Sequence, residues 1–156
     1  GQTPVTGQTP VTGQTPVTDQ TQTLEQGIME LSQKCEITVE ELKNALLIKK
    51  DKVEIVKPIR ETKDSQKMII GAQCILAAYE TVFKEEWVQA HVLADCFREI
   101  GVKDPSHNLA SIMTKNSDLF LKRPTANEYR LTTDKGRASA FMIIKKLAKG
   151  ENIIEG

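Results

Sequence analysis

Apolar residues recur at helical spacing along much of this chain, and a few short segments alternate instead. Leu24, Ile28 and Leu31 share one face and predict a helix over 24–34. Cys35-Glu36-Ile37 interrupts it. Thr38 then stands three residues before Glu41, the spacing of a capping box, and Leu42, Ala45 and Leu46 predict a second helix over 39–48. Lys49 to Lys52 reads as a polar turn. Val53, Ile55 and Ile59 alternate with charged residues, predicting a short strand that Pro58 stops.

Beyond a polar bridge over 61–65, Ile69, Ala72, Leu76, Tyr79 and Phe83 line one side of a helix predicted over 66–83. Ile70, Cys74, Ala77 and Ala78 widen that stripe, so the helix is expected to be buried over much of its circumference. Glu85 and Glu86 are read as the acidic first turn of the next helix, over 88–100, whose inward residues are Val92, Leu93, Cys96, Phe97 and Ile100. Gly101 ends it, and Asp104-Pro105 opens a helix over 105–116, with Asp104 as its cap and Leu109, Ile112 and Met113 inward. Two strands come next, Leu119–Leu121 and Tyr129–Leu131, joined by the polar loop 122–128. Thr132 or Thr133 is expected to cap a last helix over 134–148, with Ala138, Phe141, Met142, Ile144 and Ala148 inward.

The segment 66–150 resembles winged helix-turn-helix domains, in its order of elements and most closely at Tyr129-Arg-Leu-Thr-Thr-Asp-Lys-Gly136-Arg. That stretch is similar to the close of the second wing strand in many prokaryotic regulators. The expected fold is therefore mainly α with small β: a winged helix-turn-helix preceded by a helix-helix-strand module over 24–60. Gly136 would let the last helix approach a neighbour closely. The 24–60 module is too small to stand alone and is expected to lean on the 66–150 domain.

The resemblance implies that the helix over 105–116 enters the DNA major groove while the hairpin 119–131, the wing, touches the backbone. Carried to this chain, the candidate contacts are Ser106, His107, Asn108, Ser111, Thr114 and Lys115 on the helix, with Lys122, Arg123 and Arg130 near phosphates. The competing reading is an ordinary solvated helix face, or a face that meets protein. The helix carries one Lys and no Arg, a departure from strong DNA binders. His91 beside an apolar face reads as structural, and the single Trp, Trp87, as core or as a lid over the helix junction.

Residues 1–18 are three copies of Gly-Gln-Thr-Pro-Val-Thr. A Pro at every sixth position opposes a helix, and one Val per repeat buries too little to offset ordering, so 1–23 reads as a disordered tail. Residues 151–156 read as a flexible end. Apolar residues make up 39% of the 156, enough for a sizeable core but nowhere in a run that would cross a bilayer. No signal peptide is expected. Three widely spaced cysteines, Cys35, Cys74 and Cys96, fit buried small hydrophobes in a reducing, cytoplasmic setting.

Net charge is zero, but residues 66–150 hold 13 basic and 9 acidic side chains, a local excess of four positive charges. No phosphate-binding glycine loop, nucleophile elbow or His-Glu-x-x-His motif is present, so neither an enzyme nor a cofactor or metal is expected. The function expected first is non-enzymatic binding of double-stranded DNA, as in transcription regulation. The alternative is protein docking through a winged helix that does not bind DNA. A protein partner or a homodimer fits either, and no membrane is involved.

Overall fold

The computed structural model describes residues 16–60 and 63–151, with the backbone alone for 16–23. Among the described residues there are six helices and two small antiparallel sheets, a mixed α and β chain. Residues 1–15 of the expected tail and the expected flexible end beyond Glu151 lie outside the described residues. The first helix, α1 (Pro16–Lys34), begins eight residues before the expected start at Leu24. Proline is tolerated there because the first helical turn has no use for its missing N–H.

Helix α2 (Val39–Ala45) starts with the expected capping box. Thr38 Oγ1 accepts the Glu41 N–H at 3.0 Å, and a Glu41 carboxylate oxygen accepts the Thr38 N–H at 2.9 Å. The Thr38 backbone bond, followed by Lys149, holds the Glu41 carboxyl below the usual carboxylate range. The second helix stops earlier than its apolar pattern suggested. Leu46–Ile48 is a strand, β1, paired antiparallel with β2 (Val53–Ile55) in the register Leu46↔Ile55 and Ile48↔Val53. A tight turn makes this possible, closed by the Lys49 N–H on the Lys52 carbonyl at 2.8 Å.

Helix α3 (Asp64–Val82) is the axis of the fold, buried on nearly all sides from Met68 to Val82. Gln73 lies within this apolar belt; its amide nitrogen donates to the Ile69 carbonyl at 3.2 Å, and its side-chain oxygen has no protein partner. The remaining elements are β3 (Val88–Gln89), α4 (Ala90–Glu99), α5 (Pro105–Lys115), β4 (Phe120–Lys122), β5 (Glu128–Leu131) and α6 (Lys135–Lys149). Helices α1 and α6 both pack along α3, and α6 also meets α2. Gly27 permits the first of these contacts, because a Cβ there would lie 2.8 Å from Val82 backbone atoms. A single apolar core therefore runs from Leu31, Leu42 and Val53 through α3 to Ile144 and Leu147. The 24–60 segment shares this core with the rest of the chain.

Several expectations need correction. Glu85 and Glu86 precede β3 and are not part of a helical turn, since α4 begins at Ala90. Asp104 occupies the cap position of α5 in a left-handed backbone conformation, φ 47°, and its side chain makes no cap bond. On α6, Ala138 and Met142 face solvent, with Met142 56% exposed; the buried stripe is Ala140, Ile144, Leu147 and Ala148. His91 is exposed on α4. The three thiols are buried and unpaired. Burial pushes Cys35 and Cys96 up to about 12 and Cys74 upward as well, so none supplies a thiolate nucleophile near neutral pH.

Candidate nucleic-acid interface

Helix α4 ends where Gly101 adopts φ 96°, a conformation that a side chain would strain. The Val102 N–H returns to the Phe97 carbonyl at 2.9 Å, and Pro105 opens α5. The amphipathic pattern of α5 fixes its roll. Leu109, Ile112 and Met113 are buried against the body of the protein. Ser106, His107, Asn108, Ser111, Thr114 and Lys115 are all exposed on its outer side. Of these, Ser106 Oγ accepts from an Arg98 guanidinium nitrogen at 3.4 Å. The same arginine holds Asp95 at 2.9 Å, so α4 and α5 are tied at their solvent edges.

Strands β4 and β5 form a hairpin beside α5 in the register Phe120↔Leu131 and Lys122↔Tyr129. Strand β3 adds to the far side of β5, Val88 opposite Tyr129, giving the order β3-β5-β4. Tyr129 is 1% exposed; burial pushes its phenol pKa upward and leaves its hydroxyl without a protein partner. Three residues, 132–134, join the hairpin to α6. Thr132 Oγ1 donates to the Asp118 carbonyl at 2.8 Å and accepts the Gly136 N–H at 2.7 Å.

The three basic residues of the hairpin are not equivalent. Lys122 is exposed on β4. Arg123 lies 4.7 Å from the centre of the Trp87 ring and 3.3 Å from a Glu128 carboxylate oxygen. Arg130 lies 5.6 Å from the same ring, pairs with Glu86 at 3.3 Å and donates to the Leu131 carbonyl at 3.2 Å. Only 14% of the Arg130 side chain remains exposed. Trp87 is thus half-buried at the root of the hairpin as a shelf for two guanidinium groups, each with its own carboxylate. Stacking of this kind contributes roughly 0.5–2 kcal/mol per pair.

The roles of Glu86 and Trp87 are not legible in the sequence around them. Their partners lie more than 30 residues along the chain, and nothing local announces them. Lys103, exposed in the turn before α5, is a further cation beside the candidate helix. Asp118 near the start of β4 pairs with Lys135 at 3.0 Å, which holds its carboxyl below the usual range. The face is consequently rich in hydroxyl, amide and imidazole groups with a thin scatter of cations. It can hydrogen-bond. Among the described residues no group of three His, Cys, Asp or Glu side chains is arranged to hold a metal ion.

Residues 1–21 match the Cementoin family, described as the Trappin protein transglutaminase binding domain. That match covers the three repeats and stops short of the residues that build the core. No curated protein and no solved structure matches the chain. Among the described residues, no helix is long and apolar enough to cross a membrane.

Proposed function

We propose that the chain is a non-enzymatic DNA-binding module of the winged-helix kind, with α5 in the major groove and the β4–β5 hairpin on the phosphate backbone. The observation that carries this reading is the outer face of α5. Six polar side chains stand exposed there, while the apolar face anchors the helix to the core. The order α3, β3, α4, α5, β4, β5, with β5 central in its sheet, supports it. Asn108 is suited to adenine, and Ser106, His107, Ser111 and Thr114 to base edges or phosphates. Lys115 and Lys122 are the cations placed to meet phosphates. Arg123 and Arg130 reach phosphate only by exchanging Glu128 and Glu86, so their contribution to affinity is small.

Fluorescence anisotropy of the full chain against a random duplex tests this. If Lys115 and Lys122 neutralise about two phosphates, affinity falls about 12-fold between roughly 50 and 200 mM salt. Reversing Lys115 and Lys122 together to Glu lowers affinity by about tenfold or more and flattens the salt dependence. Affinity that ignores both salt and this double reversal would remove α5 and the wing from the interface.

Protein docking without DNA is the second reading, and two observations favour it. The wing arginines are already neutralised within the protein. Residues 1–21 match a family described by transglutaminase binding, and each repeat offers one glutamine, Gln2, Gln8 and Gln14, the residue type on which such enzymes act. On this reading a purified transglutaminase is captured by the full chain and released when residues 1–15 are deleted. Equal capture with and without them counts against the tail as the docking element.

A further inference from the structure

A cleft of about 460 Å3 opens between the β1–β2 turn, α3 and α4. We propose that it binds a small organic cation, an amine carried on a compact apolar or aromatic body. This inference does not depend on the DNA reading.

The volume falls in the range of sites that enclose small ligands. The floor is apolar: Val53, Ile75 and Cys96 are buried, and Val92 is half-buried beside them. Tyr79 adds a half-buried aromatic ring to the wall, held by Phe83 at a centroid distance of 5.2 Å. An aromatic ring beside a cation is attractive through its quadrupole.

The rim sets the sign of the ligand. Asp51, Asp95 and Glu99 stand at the rim against two cations, Lys52 on Glu99 and Arg98 on Asp95, each at 2.9 Å, with His91 alongside. Two groups already register this negative field. Lys52, 2.9 Å from Glu99, has its pKa raised by Glu99 first, with Glu54 and Asp95 adding. The Tyr79 phenol in the wall is pushed up, first by burial and then by Glu85 and Asp51. An anion entering here would meet three carboxylates against two cations already bonded to them, whereas a cation would exchange with Lys52 or Arg98 on complementary charge and its body would cover the apolar floor.

Asp95 is the anchor with a consequence. Its present partner is Arg98, which also reaches Ser106 on α5. A ligand amine that takes Asp95 loosens Arg98, and occupancy of the cleft is felt at the first turn of α5.

The test is an amide NMR titration of the full chain with phenethylammonium chloride, beside phenylacetate and phenethyl alcohol as anionic and neutral probes. The expected result is saturable shifts for the amine at Val53, Tyr79, Val92 and Asp95, with a dissociation constant in the millimolar range. The Ser106 amide shifts in parallel. The exposed double substitution Asp95→Asn, Glu99→Gln moves the Ser106 amide, because it frees Arg98, but keeps the rest of the native spectrum and weakens the amine about fivefold or more. No saturation by the amine, equal binding of the alcohol or the acid, or unchanged affinity in the double variant overturns the site. Saturation with Ser106 unmoved overturns the link through Arg98.

Discussion

Phe97→Ala is expected to destabilise the chain by about 3–5 kcal/mol, the range for losing a fully buried ring. Phe97 is 0% exposed on the inner side of α4. The ring lies over Gly71 of α3, where a Cβ would already be 3.4 Å from Phe97 Cε1. The helix backbone at Gly71 has no side chain with which to fill the space the ring would leave. The Phe97 carbonyl also receives the Val102 N–H at the turn into α5, so relaxation of α4 toward the void would pull on that turn. Because one core spans residues 31 to 148, the loss appears in a single cooperative transition. Urea unfolding followed by circular dichroism measures it. A cost below about 1 kcal/mol would show that the α3–α4 seam collapses freely, and a separate early transition would show that the core is divided.

Gly136→Ala is expected to cost about 2–3 kcal/mol, against the usual trend for a helical glycine. On an open helix face alanine would stabilise by up to about 1 kcal/mol. Here the new Cβ would fall 2.3 Å from the Leu119 carbonyl oxygen and 2.7 Å from Thr132 Oγ1. Neither atom is the loose end of a long side chain. The Leu119 carbonyl accepts the Thr132 N–H at 2.9 Å, and Thr132 Oγ1 bonds both Asp118 and Gly136. The methyl group would therefore push apart the start of β4, the end of β5 and the first turn of α6 together. Differential scanning calorimetry of the variant is decisive, since a melting temperature equal to or above the parent's would show that helix propensity outweighs the close approach.

Much of the α4–α6 region was legible because its signals are local. Gly101 and Pro105 bracket a turn, Leu109, Ile112 and Met113 define one helical face, and the polar loop between Leu121 and Tyr129 separates two strands. The exposure of the six α5 side chains followed from that periodicity alone. What escaped depends on partners distant in sequence. Leu46-Leu47-Ile48 continues the apolar pattern of α2, and only pairing across a tight turn with Val53–Ile55 makes it a strand. Two residues, Val88 and Gln89, carry no strand signal by themselves; they extend because β5 offers them a free edge. On α6 the apolar residues outnumber the places on its buried face, so the pattern could not rank Met142 below Leu147. Arg123 and Arg130 read as free cations because Trp87 and Glu86, which hold them, lie dozens of residues upstream.

The position of Trp87 has a practical consequence. The chain's sole tryptophan stands at the root of the hairpin, outside the apolar core, beside two guanidinium groups. Its ultraviolet emission is therefore a reporter of one corner of the molecule. A spectral change on adding a binding partner would speak about the hairpin arginines and their carboxylates. A change on heating that precedes the loss of helical ellipticity would record the hairpin letting go while the helices remain assembled around α3.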